Sequence, residues 1–318
     1  MVILMISSMK KSAKRIWSGI LIGAFSFIII SLILTKVIYD GTFSRYDVIA
    51  AVPNELEGMV EARETPRFKS GENALCGYLY GGTGDSLVVI VPGYRAGGDD
   101  YLWQISELNA LGYGVFTFEA TGSCRSEGDD AVGFAQTVND LECALSYIEE
   151  NGRFGYKKLY LLGHSRGAFA VCSVLDGGYD ITAAVSISGV NSSMEAVIQP
   201  AADKVGFIAY GNYPFLWLYQ ASILGSDSVT TDAAQEIKAS DIPVLVVQGA
   251  GDTQYTEEKY SVYSHCKEDG VKNVSYLLMK GNGQDGHTTL LFDADGTANN
   301  MLIEEIHSFF KEAGKKEN

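Results

Sequence analysis

Between residues 74 and 311, short apolar runs alternate with stretches of helical pattern, and this alternation restricts the fold more than any other feature of the chain. The apolar runs lie at 74–80, 87–91, 114–118, 158–162, 181–187, 243–247 and 274–278, and most are rich in Val, Ile, Leu, Phe and Tyr. Runs of this length and makeup are characteristic of strands buried on both faces of a parallel sheet. Helical candidates at 101–111, 134–150, 166–175 and 257–267 fall between them, and one at 299–311 closes the pattern. The alternation predicts an α/β fold, a mostly parallel central sheet covered by helices on both faces. With 318 residues, 47% of them hydrophobic, the chain is long enough to bury one sizeable core. In such sheets ligands bind beyond the carboxyl ends of the strands, so polar residues there are the candidates for chemistry.

One segment departs from the alternation. Residues 191–227 contain Pro200 and the aromatic run Tyr210, Tyr213, Phe215, Trp217 and Tyr219, where a simple crossover helix would suffice. The segment is expected to form a small helical lid over the site; the competing reading is a longer crossover whose aromatics are core.

The first residues are of a different material. Lys10, Lys11, Lys14 and Arg15 precede an uncharged stretch at 16–35. At about 1.5 Å per residue that stretch covers roughly 30 Å, the hydrocarbon thickness of a bilayer. The positive cluster on its N-terminal side places the N-terminus in the cytoplasm and the rest of the chain outside. A cleaved signal peptide has the same charge layout, but its apolar region is usually about 7–15 residues long. The expectation is therefore an uncleaved, single-pass signal-anchor in the cell membrane, with secretion after cleavage as the alternative. Met9 is a possible true start.

Composition excludes several functions. A net charge of -15 argues against nucleic acid, whose phosphates require Lys and Arg. The five cysteines, Cys76, Cys124, Cys143, Cys172 and Cys266, show neither CxxC nor metal-ligand spacing, and their pairing is not assignable from sequence. No His/Cys/Asp cluster implies a metal, and no G-x-G-x-x-G opens a crossover, so no cofactor is expected.

The chemistry concentrates at three strand ends. Gly163-His164-Ser165-Arg166-Gly167 is the chain's single G-x-S-x-G, with an apolar strand leading in and a helix-forming run leading out. Glycines at those positions permit the strained strand-to-helix turn that lifts a serine hydroxyl above a sheet. Serine as a nucleophile needs a base. His164 adjoins the serine on a sharp turn and should point away, while His265 and His307 lie in helical patterns. His287 follows the strand at 274–278 and is the expected base. Asp252 follows the strand at 243–247 and is the expected orienting carboxylate; Asp285, two residues from His287, has too little freedom for that contact.

The order Ser165, Asp252, His287 is the chain order of α/β hydrolases. Residues from about 65 to 310 resemble the lysophospholipase, monoglyceride-lipase and cinnamoyl-esterase members of that fold. Val91-Pro92-Gly93-Tyr94 stands where relatives carry His-Gly, so Pro92 replaces a histidine and the support of that loop is expected to differ. The stretch from Phe118 to Gly128 resembles the D-x-R-G-x-G-x-S-x-G loop, with Glu119 and Ala120 as departures. The stretch from Pro243 to Asp252 matches P-x-L-x-x-x-G-x-x-D. The resemblance implies an oxyanion hole made by the backbone N–H groups of Tyr94 and Arg166.

These readings divide the chain into a basic tail (1–15), a transmembrane signal-anchor (16–38), a linker (39–64) and an α/β-hydrolase domain (65–318) with the lid at 191–227. The expected activity is hydrolysis of a small-molecule carboxylic ester through an acyl-enzyme. Alternatives on the same triad are an aminopeptidase-like amide hydrolase, with Glu195 or Asp203 as amine anchor, or an acyltransferase. A non-catalytic surface binding module is the remaining class. Arg166 either meets an anionic substrate or only covers the turn. The natural substrate and oligomeric state are not legible in the sequence.

Overall fold

The computed structural model describes residues 2–81, 84–281 and 283–315, with backbone alone for 2–13 and 153. The side chains of Lys10 and Lys11, and Asn282 in the loop before His287, lie outside the described residues, as does Met9's side chain.

A long helix, α1 (Val2–Thr42), leads through α2 (Glu57–Ala62) into the sheet. The strands are β1 (Arg67–Ser70), β2 (Asn73–Tyr80), β3 (Ser86–Val91), β4 (Gly114–Phe118), β5 (Lys158–His164), β6 (Ala183–Ile187), β7 (Val244–Gly249) and β8 (Val274–Met279). The remaining helices are α3 (Leu102–Ala110), α4 (Phe134–Glu150), α5 (Arg166–Ser173), α6 (Ser193–Val205), α7 (Ile208–Gly211), α8 (Tyr213–Leu224), α9 (Ser226–Thr230), α10 (Ala233–Ala239), α11 (Val262–Glu268) and α12 (Asn300–Ala313).

The strands form one sheet in the order β1-β2-β4-β3-β5-β6-β7-β8, parallel from β4 to β8 and antiparallel where β2 meets β1 and β4. All seven apolar runs are strands. The eighth, β1, has the sequence RFKS and escapes the apolar pattern because only Phe68 and Ser70 face inward. β3, β4, β5, β6 and β7 are buried along nearly their whole length. This is why they read as continuous apolar runs and not as alternating ones. Two layers cover the sheet. One packs α4, α5 and α10 against Val89, Val91, Phe116, Leu161 and Val246. The other packs Ile105 and Leu108 of α3 and Ile306 and Phe310 of α12 against Val88, Ile90, Val115, Leu162 and Val247.

α1 runs on past residue 38 to Thr42, and residues 39–64, which hold the short helix α2, pack against the rest of the chain. Ser31, Thr35, Tyr39 and Phe43 recur every fourth position, so they share one face of the helix, and all are buried. Tyr39 and Phe43 join the main core, with the Phe43 ring 5.6 Å from Tyr94 and 6.0 Å from Phe134. Arg45 then donates to the carbonyls of Cys124, Ser126 and Gly128 at 2.7–2.9 Å. Residues 14–42 are apolar and long enough to cross a membrane, and most of their large side chains are exposed.

Candidate active site

Ser165 sits between β5 and α5 with φ 55° and ψ −117°, a conformation that costs a non-glycine residue free energy and persists only where its surroundings impose it. Its N–H donates to the Ile187 carbonyl at 2.9 Å. Gly163 and Gly167 make the turn possible. A Cβ on Gly163 would meet the Gly167 carbonyl at 2.3 Å, and one on Gly167 would meet the Val91 carbonyl at 1.9 Å. The second contact brings the start of α5 against the end of β3.

Two further loops converge on the serine. β7 ends at Gly249, and β8 leads into the loop carrying Asp285 and His287. A Cβ on Gly249 would stand 2.1 Å from the Asp285 carbonyl, so only glycine lets the loops touch. The contact is closed by the Gly251 N–H donating to that same carbonyl at 2.8 Å. Asp285 itself accepts from the Gly281 N–H and does not reach His287 Nδ1. Asp252 does: His287 Nδ1–H donates to Asp252 Oδ2 at 2.8 Å. His287 Nε2 in turn lies 2.9 Å from Ser165 Oγ and, in this tautomer, accepts the serine proton. Ser165 is 6% exposed, and the Asp252 side chain is fully buried.

Burial works against ionisation of Asp252. Donation from His287, followed by the N–H groups of Gln254 (2.8 Å) and Tyr255 (3.2 Å), nevertheless holds its carboxyl below the usual range. Gln248 Nε2 adds a contact at 3.1 Å. The carboxylate is thus charged, oriented and supplied with donors in a dry setting.

His164 was expected only to point away from the serine. Its ring is instead buried in a chain of hydrogen bonds whose directions follow from one fact: the His287 carbonyl can only accept. His164 Nε2–H donates to that carbonyl at 2.9 Å. Nδ1 is then the acceptor for the Tyr101 hydroxyl at 2.9 Å, and the Tyr101 oxygen accepts the Gly93 N–H at 2.9 Å. Burial, then the neighbouring His287, pushes the His164 pKa down to about 4, so the ring is neutral as this pattern requires. Pro92 cannot supply what a histidine there would, and Tyr101 and His164 hold the Gly93 loop in its place. Adjacency to Ser165 hid the role of His164, and no sequence pattern marks Tyr101.

Arg166 resolves one open question. Its side chain is 1% exposed, and its guanidinium donates to the Gly93 carbonyl at 3.2 Å, 6.0 Å from the centre of the Tyr94 ring. It covers the turn and is not open to a substrate. Glu119, the departure in the loop at 118–128, accepts from the Tyr78 hydroxyl (2.7 Å) and the Arg125 amide (2.6 Å) and pairs with the Arg125 guanidinium (3.0 Å), tying that loop to β2.

A cavity of about 370 Å³ lies beside Ser165 and His287, walled by Gly93–Ala96, Tyr101, Gln254, Leu291 and Phe292, with Asp100 and Arg95 as its charged groups. None of its described lining comes from 191–227; within that segment α8 packs against α1 and α6 against α4. Glu195 is paired with His265 at 3.1 Å, Asp203 is exposed, and neither lines the cavity. Among the described residues no group of three His, Cys, Asp or Glu side chains could hold a metal, and all five cysteines are free thiols.

A family model described as serine aminopeptidase, S33, matches residues 83–222, which include Tyr94 and Ser165 but end before Asp252 and His287. Comparison with curated proteins returns no match. Among solved structures, the Pyrococcus furiosus esterase Pf2001 is similar at TM-score 0.62 and 17% identity, over 86% of this chain and 98% of that one. Est1E from Butyrivibrio proteoclasticus is similar at TM-score 0.58 and 16% identity, over 78% and 98%. An acylaminoacyl peptidase from Pyrococcus horikoshii is similar at TM-score 0.55 and 14% identity, over 81% and 43%. At such identities the structures speak for the fold, and the S33 match speaks for the chemistry. The chain is a serine hydrolase of the α/β-hydrolase fold.

Proposed function

We propose that this protein is a membrane-anchored carboxylic-ester hydrolase, with Ser165 as nucleophile, His287 as general base and Asp252 as the group that orients and stabilises the imidazolium. The observation that carries this reading is the relay from Ser165 Oγ through His287 (2.9 Å) to Asp252 (2.8 Å), drawn from three separate strand ends. His287 takes the Ser165 proton as Oγ attacks the acyl carbonyl, and the tetrahedral oxyanion is met by the Tyr94 and Arg166 amides. His287 then protonates the leaving alcohol. A water, deprotonated by the same imidazole, releases the acid and restores the serine. The cavity of about 370 Å³ suits a small or medium acyl ester.

The anchor reading rests on α1, whose 29-residue segment Lys14–Thr42 contains an 18-residue window of mean hydropathy 2.4. Lys14 and Arg15 stand before its uncharged stretch, the side expected to stay in the cytoplasm, with the catalytic domain outside.

The test uses the full chain in detergent, because a fragment starting at Asp40 would lose Tyr39 from the core. Turnover of p-nitrophenyl esters from acetate to laurate should be lost on Ser165→Ala, by on the order of 10⁶ in kcat. Labelling of wild-type Ser165 by a fluorophosphonate without ester turnover, together with cleavage of aminoacyl amides, would move the assignment to an amide hydrolase. Absence of both labelling and turnover would overturn it.

A further inference from the structure

Residues 205–226 carry no charged side chain, with Lys204 before them and Asp227 after. They hold α7 and α8, and while Ala209 and Leu216 are buried, other apolar side chains are left uncovered: Phe207 is 85% exposed, Ile208 66% and Leu218 52%. So much exposed apolar side chain in one uncharged segment marks a contact with another phase or another molecule.

What α8 touches sets its depth. The Phe215 ring meets the Phe27 ring edge-on at 6.0 Å. Asn212 Nδ2 donates to Thr35 Oγ1 at 2.8 Å, the Tyr219 hydroxyl bonds Asp40, and Lys36 Nζ donates to Tyr219 at 3.2 Å. Positions 27 and 35 stand roughly 12 Å apart along a helix. With the uncharged run 16–35 in the hydrocarbon, Phe215 lies well below the headgroups. Tyr219 then shares the polar boundary with Lys36 and Asp40, a level at which tyrosine is favoured.

We propose that α7 and α8 are a second membrane contact, lying in the leaflet from which α1 emerges, with the acyl chains and headgroup boundary of neutral lipid as the occupant. The proposal rests on the reading of α1 as a membrane anchor. Lipid is favoured over another protein because exposed Leu218 stands on the same helix as Phe215 and Tyr219, whose contacts with α1 set the depth of α8, and Phe207 and Ile208 belong to the same uncharged run. With a net charge of -15 the chain gains nothing from anionic headgroups, so the contact is one of apolar insertion. A catalytic domain held at two points keeps one orientation over the leaflet and does not swing on a tether.

The experiment uses the full chain with Cys143→Ser, reconstituted in phosphatidylcholine vesicles, with a fluorescent thiol label on Phe207→Cys. Ile22→Cys in α1 and Lys272→Cys at the far edge of the sheet serve as references. Nitroxide on the lipid chains should quench the Phe207 label about as strongly as the Ile22 label and several-fold more than the Lys272 label, while aqueous iodide leaves it protected. A Phe207 label open to iodide beside a lipid-quenched Ile22 label would overturn the proposal and leave the anchor intact. If both were open to iodide, the anchor reading would fail with it. Protection that grows with protein density and not with lipid contact would assign the surface to a second copy of the chain and overturn the lipid assignment.

Discussion

His164 Nε2 donates to the backbone carbonyl of His287 across 2.9 Å, so the residue before Ser165 holds the loop that carries His287. The same ring receives the Tyr101 hydroxyl, which in turn receives the Gly93 amide. One neutral imidazole thereby couples the Gly93 loop to the loop that carries His287, and its neutrality is a condition of the arrangement.

That condition makes stability depend on pH. The folded-state pKa of His164 is about 4 against an ordinary 6.5. Above pH 6.5 the ring is neutral in both states and its contacts contribute in full. As pH falls toward 4 the unfolded chain takes up a proton that the folded chain refuses, and stability is lost. The loss expected from this group is about 3 kcal/mol over that window, at 1.36 kcal/mol per pKa unit. Denaturant unfolding at pH 7 and pH 4.5 should show this decline, and His164→Phe should flatten it.

Tyr101 and His164 should act as a unit. Either Tyr101→Phe or His164→Phe strands a buried partner at a cost of about 1–3 kcal/mol. A double-mutant cycle on kcat/KM should return a coupling of roughly 0.5–3 kcal/mol. Additive effects in that cycle would mean the bridge does not reach the reaction.

Asp252→Asn keeps the shape of the site but removes the charge that faces His287 Nδ1. Loss of the correct tautomer should lower kcat by on the order of 10⁴ with a much smaller change in KM. Steady-state kinetics against the p-nitrophenyl series measures both.

Phe43→Ala tests whether the end of α1 belongs to the catalytic domain. Phe43 is 2% exposed and packs against Tyr94 and Phe134, so its truncation should cost about 3–5 kcal/mol of stability. Through Tyr94 it should also reduce kcat. An unchanged unfolding midpoint in detergent would show that the helix end is only a tether.

The fold was legible because burial on both faces favours apolar side chains: β3 through β7 are largely apolar, with Thr117, Ser186 and Gln248 as buried polar exceptions. α3, α4, α5 and α12 lie within two residues of their expected places, whereas α11 begins five residues late and α10 was not expected. β1 was not, since a short edge strand with two polar outward residues has no such signature. Ser165, Asp252 and His287 were legible as types at strand ends, since topology sends those ends to one face. Which of Asp252 and Asp285 reaches His287 was a matter of loop contact, decided by the approach of the Gly249 turn to the Asp285 carbonyl.

Sequence alone thus determined the layer architecture, the apolar N-terminal segment and the three loops on which the site is built, because each is written in local periodicity or in strand order. Tertiary structure decided that the last turns of α1 are core, that no described residue of 191–227 lines the cavity, that Arg166 is buried, and that His164 and Tyr101 bind the loops together. Those outcomes depend on which distant side chains meet, through hydrogen bonds and packing between residues tens to hundreds of positions apart, and periodicity along a chain carries no record of such meetings.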